Sequence, residues 1–215
     1  ALVNTLSPGD KVLMAETGEF ATLWNNLAIK LGFEPDFIEG DWRRGAPADL
    51  IEARLAEDKN HEIKAVCVVH NETSTGVVSN VHNVRKALDA ANHPALLFAD
   101  CISSLGSVEF KHDAWQVDVT ISCSQKGLML PPGLSFNAIS KKALAASEKN
   151  TYKRSYWDWQ PMITNNATGY YPYTPSTNLL YGLREALDML LEEGLDNVFK
   201  RHDRYAEATR RAVQA

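Results

Sequence analysis

Apolar residues along this chain fall into short runs separated by stretches with helical spacing. Lys11–Ala15 (KVLMA), Lys64–Val69 (KAVCVV) and Ala95–Ala99 (ALLFA) are nearly continuous apolar runs. Val117–Ser122 (VDVTIS) and Leu134–Ile139 (LSFNAI) are two more strand candidates, and Asp36–Glu39 (DFIE), just after Pro35, is a weak one. Runs that are apolar throughout predict strands buried on both faces. Between them the spacing predicts helices: Phe20–Leu31, stopped by Gly32; Pro47–Ala56, with Leu50, Ile51, Ala53 and Leu55; Ser79–Ala91, with Val81, Val84, Ala87, Leu88 and Ala91 on one face; and one near Lys141–Ser147. Strand–helix alternation predicts an α/β fold, a three-layer sandwich with a mostly parallel central sheet covered by helices.

The pattern breaks at Glu148–Tyr173, which is rich in Trp, Tyr, Asn and Pro and has little periodicity. Its aromatics (Tyr152, Tyr156, Trp157, Trp159, Tyr170, Tyr171, Tyr173) are too many for a disordered linker, so an ordered excursion is expected. Pro175-Ser176 then opens a helix ended by Gly194. Its stripe of Leu179, Leu180, Leu183, Leu187, Leu190 and Leu191 is expected to be core. Residues 195–215 predict an amphipathic helix. Ala1–Leu6 resembles the last turns of a helix before the turn Ser7-Pro8-Gly9-Asp10, so the chain is expected to be a piece of a longer one.

Of the 215 residues, 45% are hydrophobic, enough for one sizeable core. The net charge of -5 gives no sign of a nucleic-acid surface. No apolar run reaches the ~18 residues of a membrane span, and no signal-peptide pattern is present. Cys67, Cys101 and Cys123 sit in or beside apolar runs, odd in number and without zinc spacing. They are expected to be reduced core thiols of a cytoplasmic protein.

Three polar clusters follow three of the predicted strands: His70-Asn71-Glu72-Thr73-Ser74-Thr75-Gly76, Asp100-Cys101-Ile102-Ser103-Ser104 and Ser124-Gln125-Lys126. In open α/β sheets ligands bind beyond the carboxyl ends of the strands, so parallel strands would aim all three at one crevice. Lys126 ends a buried run, where an ammonium is costly unless paired or chemically changed. A Schiff base to a carbonyl cofactor changes it, and pyridoxal phosphate needs a lysine for that bond and an acid for its pyridinium nitrogen. Lys126 and Asp100 are the candidates. Each residue also has a plainer reading: Lys126 as a surface lysine, Asp100 as a helix cap or turn residue and Thr73 as loop chemistry, and His70 as a satisfied structural histidine with no metal partner beside it.

These residues resemble those of the class V, fold-type I pyridoxal-phosphate aminotransferases, in particular the serine–glyoxylate and alanine–glyoxylate group. The carrying motifs are HNETSTGV at 70–77, LFADCISSLGS at 97–107, SCSQKGLMLPPGLSF at 122–136 and YYPYTPSTNLLYGLREAL at 170–187. The resemblance implies that residues 1–215 are a partial large, cofactor-binding domain. The family's phosphate-cradling N-terminal segment and its small C-terminal domain lie outside them, and this piece alone is expected to turn over negligibly. It further implies that Lys126 links to the cofactor and moves the proton in transfer, and that Asp100 pairs with the ring nitrogen. Thr73 would bond the phenolic oxygen, Ile102 and Phe20 would cover the two ring faces, and Gln125 would reach the phosphate. Tyr171 and Thr174 would reach the cofactor of the other subunit in a homodimer. The implied reaction moves an amine from serine, or alanine, to glyoxylate. Other class V chemistry, such as cysteine desulfuration, and a non-catalytic binding module are the alternatives. A nucleotide-binding domain is weaker still, since no GxGxxG or P-loop run occurs.

Overall fold

The computed structural model describes residues 1–215. Its sheet contains β1 (Lys11–Ala15), β2 (Glu34–Ile38), β3 (Ile63–Val69), β4 (Leu96–Asp100), β5 (Val119–Cys123) and β6 (Ser135–Ile139). They lie in the order β2-β1-β3-β4-β5-β6. The first five are mutually parallel, and β6 runs antiparallel against β5. The helices are α1 (Leu2–Thr5), α2 (Glu19–Lys30), α3 (Ala48–Glu57), α4 (Val81–Ala90), α5 (Lys141–Lys149), α6 (Trp159–Asn166), α7 (Thr177–Glu193) and α8 (Leu195–Gln214).

Side-chain alternation along the central strands builds two cores. Leu13, Val66, Val68, Leu97 and Ala99 face one side, against Ile51 and Leu55 of α3 and Val84 and Leu88 of α4. Val12, Met14, Ala65, Cys67, Leu96 and Phe98 face the other, against Leu2, Leu6, Ala28 of α2 and Ala143 of α5. A sheet buried on both faces explains why these runs are apolar throughout. The expected α/β sandwich is the observed one.

The connections place the site. The chain leaves β1 through α2 to edge strand β2, then returns through α3 to β3 on the other side of β1. This reversal is a switch point of the kind at which α/β sheets open a crevice beyond their carboxyl ends.

The differences from the sequence pattern have physical reasons. β2 begins two residues before the Asp36–Glu39 run and includes Pro35, which pairs with Val12. An edge strand tolerates a residue without an N–H. The aromatic excursion holds a helix, α6, with Pro161 in its first turn, where a missing N–H breaks no helical bond. Asp158 caps it, accepting from Gln160 N at 3.2 Å. The leucine stripe of α7 is not core along its length. Ala186 and Leu190 are buried against Leu128, Leu130 and Val198, but Leu187 is 40% exposed and Leu191 67%. No second layer of this chain lies over that part of α7.

Candidate active site

The three polar clusters meet at the carboxyl end of the sheet. Register pairs Val69 with Asp100 and Asp100 with Ile121, so the loops after β3, β4 and β5 start side by side. Backbone bonds continue past the strand ends: His70 N donates to Asp100 O at 2.9 Å and Cys101 N to Ile121 O at 2.8 Å. The first and second loops are joined by a bond between the Thr73 and Ser103 hydroxyls and by His70 Nδ1 with Ser104 Oγ at 2.9 Å. The third loop nests into the second. A Cβ placed on Gly127 would lie 2.0 Å from the Leu105 carbonyl oxygen and 2.8 Å from Ser107 Oγ. Only glycine permits the approach that sets Lys126 beside the Asp100 loop.

Lys126 differs from expectation in one respect. β5 ends at Cys123, and the lysine occupies the following turn with its side chain exposed. The side chain therefore stands in solvent rather than in the core. Gln125 is exposed beside it and Ile102 is half-buried.

Asp100 is the buried acid of the site, 7% exposed. Its Oδ1 accepts from Ile102 N at 2.9 Å and its Oδ2 from Trp24 Nε1 at 2.8 Å. Both donors are neutral. Burial pushes its pKa above the usual carboxylate value and the nearby charge of Glu72 adds to this, while the two hydrogen bonds pull it back. Glu72 is fully buried. It accepts from Phe20 N and Ala21 N, each at 3.2 Å, and from Ser74 N and Oγ at 3.1 and 2.8 Å. Glu72 thus satisfies amide donors at the start of α2 that have no helical partner, and its charge complements the helix dipole. The first turns of α2 then bring Phe20, 39% exposed, and Trp24 onto one face at a spacing of four.

His70 is buried between Phe110 and Trp115, with ring centroids 5.2 and 6.1 Å away. Burial lowers its pKa to about 4, so it is a neutral structural imidazole. The three cysteines are free and buried; burial pushes the Cys101 thiol up to about 12. A thiol held protonated, as that of Cys101 is, is a poor nucleophile.

Thr73, Asp100, Ile102, Gln125 and Lys126 thus share one sheet end, and α2 brings Phe20 toward it through Glu72. Tyr171, 42% exposed, and Thr174, also exposed, stand apart on the segment leading to α7. They take no part in the bonds that join the three loops. Two contributors escaped the sequence reading. Trp24 lies within the predicted helix Phe20–Leu31 and was not singled out. Glu72 lay within a quoted cluster but had no role. The spacing of two aromatics, Phe20 and Trp24, after a Thr-Gly turn was the available signal.

The family model for aminotransferase class-V matches residues 1–215. A serine–glyoxylate aminotransferase of Methylorubrum extorquens is 56% identical over all of this chain and 55% of its own length. An L-aspartate–glyoxylate aminotransferase of Paracoccus denitrificans is 49% identical over all of this chain and 54% of its own. The crystal structure of an alanine–glyoxylate aminotransferase from Nostoc sp. superposes with a TM-score of 0.83 at 32% identity, covering 96% of this chain and 54% of that one. The chain spans about half the length of the curated relatives it matches.

Proposed function

This chain belongs to the class-V aminotransferase family, and from that premise we propose that the protein carrying it transfers an amino group to glyoxylate with pyridoxal phosphate as cofactor. Serine is the proposed donor, giving hydroxypyruvate and glycine, with alanine the alternative. Similar proteins named for serine, aspartate and alanine all share glyoxylate as partner, which supports the acceptor more firmly than the donor.

The observation that carries the reading is Asp100. A buried carboxylate whose hydrogen-bond partners are a backbone amide and an indole retains lone pairs and lacks a cation. A protonated ring nitrogen supplies one, and a carboxylate is worth most in a site shielded from water. The remaining residues fit such a group. Thr73 has a hydroxyl at the same sheet end, Ile102 and Phe20 present apolar surface, and Gln125 and Lys126 are exposed on the adjoining loop.

When bound, the cofactor serves as a sink for the electrons released at the substrate's Cα. The chain's residues do the rest. Lys126 would hold the cofactor through Nζ, and its free amine would serve as the base and acid that moves the substrate's Cα proton. Its exposed amine on a pinned turn has freedom to make both moves. Asp100 would accept from the protonated ring nitrogen and stabilise positive charge there. Thr73 would donate to the phenolic oxygen, Ile102 and Phe20 would cover the ring, and Gln125 would donate to the phosphate.

We place Tyr171 and Thr174 at the cofactor of a second copy in a homodimer. Tyr170, Trp157 and Tyr181, in and after the same aromatic segment, are 70, 72 and 75% exposed, more exposed aromatic surface than a solvated chain needs. No helix is long and apolar enough to cross a membrane; with three free thiols, a reducing cytoplasmic setting fits.

The test is spectral and kinetic. The full-length protein should bind pyridoxal phosphate with a visible absorbance band and transaminate glyoxylate, and Lys126→Ala should abolish both. A colourless protein that takes up no added cofactor would sink the proposal.

A further inference from the structure

The helix-borne indole that touches Asp100 has no place in the roles described so far. We propose that Trp24 is a positioning residue, whose indole N–H holds the Asp100 carboxylate in one orientation and favours its ionised form for a protonated ring nitrogen. The inference rests on the reading that Asp100 serves such a nitrogen.

The geometry is that of a locked rotor. Oδ1 of Asp100 is held at 2.9 Å by the amide of Ile102, two residues on, in its own loop. Oδ2 is held at 2.8 Å by Trp24 Nε1, a side chain 76 positions earlier. With both oxygens fixed by two separate elements, the loop after β4 and helix α2, the carboxylate cannot turn about its Cβ–Cγ bond without breaking one bond. Each oxygen accepts two hydrogen bonds, so one acceptor position on each stays free. The charged groups facing Asp100 work against ionisation: Glu72 raises its pKa through like charge, and burial raises it further. Cys101, next in sequence, is a protonated thiol with no charge to offer. The indole N–H is the one side-chain donor that opposes them.

No substitute for that donor is at hand. A cavity of about 10 Å3 adjoins Trp24, lined otherwise by Met14, Ala15, Ala21, Cys67, Val68 and Val69. Water needs polar partners and at least this much room, and this lining offers apolar side chains. Helix α2 itself is tied down by Glu72 through Phe20 N and Ala21 N. The same acid that disfavours charge on Asp100 therefore anchors the helix whose indole restores it.

The experiment compares full-length wild-type protein with Trp24→Phe, which removes the N–H and keeps an aromatic ring. Carbon-13 labelling of aspartate carboxyl groups, assigned with Asp100→Asn, gives the Asp100 pKa in the cofactor-free protein. Loss of a hydrogen bond to a charged group should raise it by about one to two units. With nitrogen-15 pyridoxal phosphate bound, the ring-nitrogen resonance should move toward the unprotonated position in Trp24→Phe. The kcat should fall about tenfold, with KM within about twofold. In the wild-type protein the Trp24 indole resonance should titrate with the Asp100 carboxyl, a readout that stands even if Trp24→Phe does not fold. An Asp100 pKa unchanged in folded Trp24→Phe, or an indole resonance indifferent to Asp100 protonation, would overturn the proposal. Coupling between the two in a protein that takes up no pyridoxal phosphate would overturn the ring-nitrogen role and uphold the hold of Trp24 on Asp100.

Discussion

Replacing Gly127 by alanine should injure the site through a single methyl group. The new Cβ would lie 2.0 Å from the Leu105 carbonyl oxygen, 2.8 Å from Ser107 Oγ and 3.0 Å from the Gly106 carbonyl carbon. Restoring even a tight contact requires a shift of about 1 Å. The opposing wall is backbone, and it is fixed: Leu105 N donates to Cys101 O at 3.0 Å and Ser107 N to Ser104 O at 2.9 Å. The turn carrying Lys126 must therefore give way. Overpacking of this kind costs about 1–3 kcal/mol, and each kcal/mol lowers Tm by roughly 2–4 °C in a chain of this size. A misplacement of ~1 Å at a reacting group costs on the order of 100-fold in rate. Gly182 on α7 is the control. Its added Cβ would meet only the flexible end of Leu130, at 3.1 Å, and alanine favours a helix interior by about 1 kcal/mol. Thermal melts, cofactor titration and kcat of the two variants should therefore separate, Gly127→Ala losing stability and rate and Gly182→Ala holding or gaining stability. A Gly127→Ala protein with wild-type Tm and wild-type cofactor affinity would refute the nested-loop account.

Glu72→Gln should destabilise the protein by on the order of 2 kcal/mol in urea unfolding: its one carbonyl oxygen can still accept from Phe20 N and Ser74, but an NH2 group then faces Ala21 N, leaving buried donors opposed. It should also lower the Asp100 pKa by removing the like charge, read by the same carboxyl titration. His70 sets an acid limit: burial lowers its pKa to about 4 against an ordinary 6.5, so the unfolded chain takes up the proton first. Stability should be fully present above pH 6.5, fall by up to about 1.4 kcal/mol per pH unit toward pH 4, and level off below. His70→Asn should lack that slope in pH-dependent unfolding. The raised pKa of Asp100 acts in the opposite sense and is common to both proteins, so it cancels in the difference.

The central strands were legible because burial on both faces leaves no polar position: Val66–Val69 and Leu96–Ala99 could hardly be anything else. The convergence of the polar clusters followed from parallel strands, which align their carboxyl ends. The antiparallel run of β6 was not legible, since alternation in LSFNAI is the same in either direction. The leucine stripe of α7 misled because periodicity reports which face is apolar, not what covers it; Leu191 is exposed in this chain. Lys126 was placed correctly in sequence but as a buried group, whereas three residues of turn carry it into water. The role of Trp24 was not legible because its partner lies 76 positions away; the Phe20–Trp24 spacing marks a shared helix face but not the acid it meets.

The most direct test is to reduce the full-length protein with sodium borohydride in the presence of pyridoxal phosphate, weigh it intact and map its peptides. The account predicts one reduced pyridoxyl phosphate per chain, on the Nζ of Lys126, and none in Lys126→Ala. An unmodified chain, or an adduct on another lysine such as Lys142 with Lys126 untouched, would contradict it.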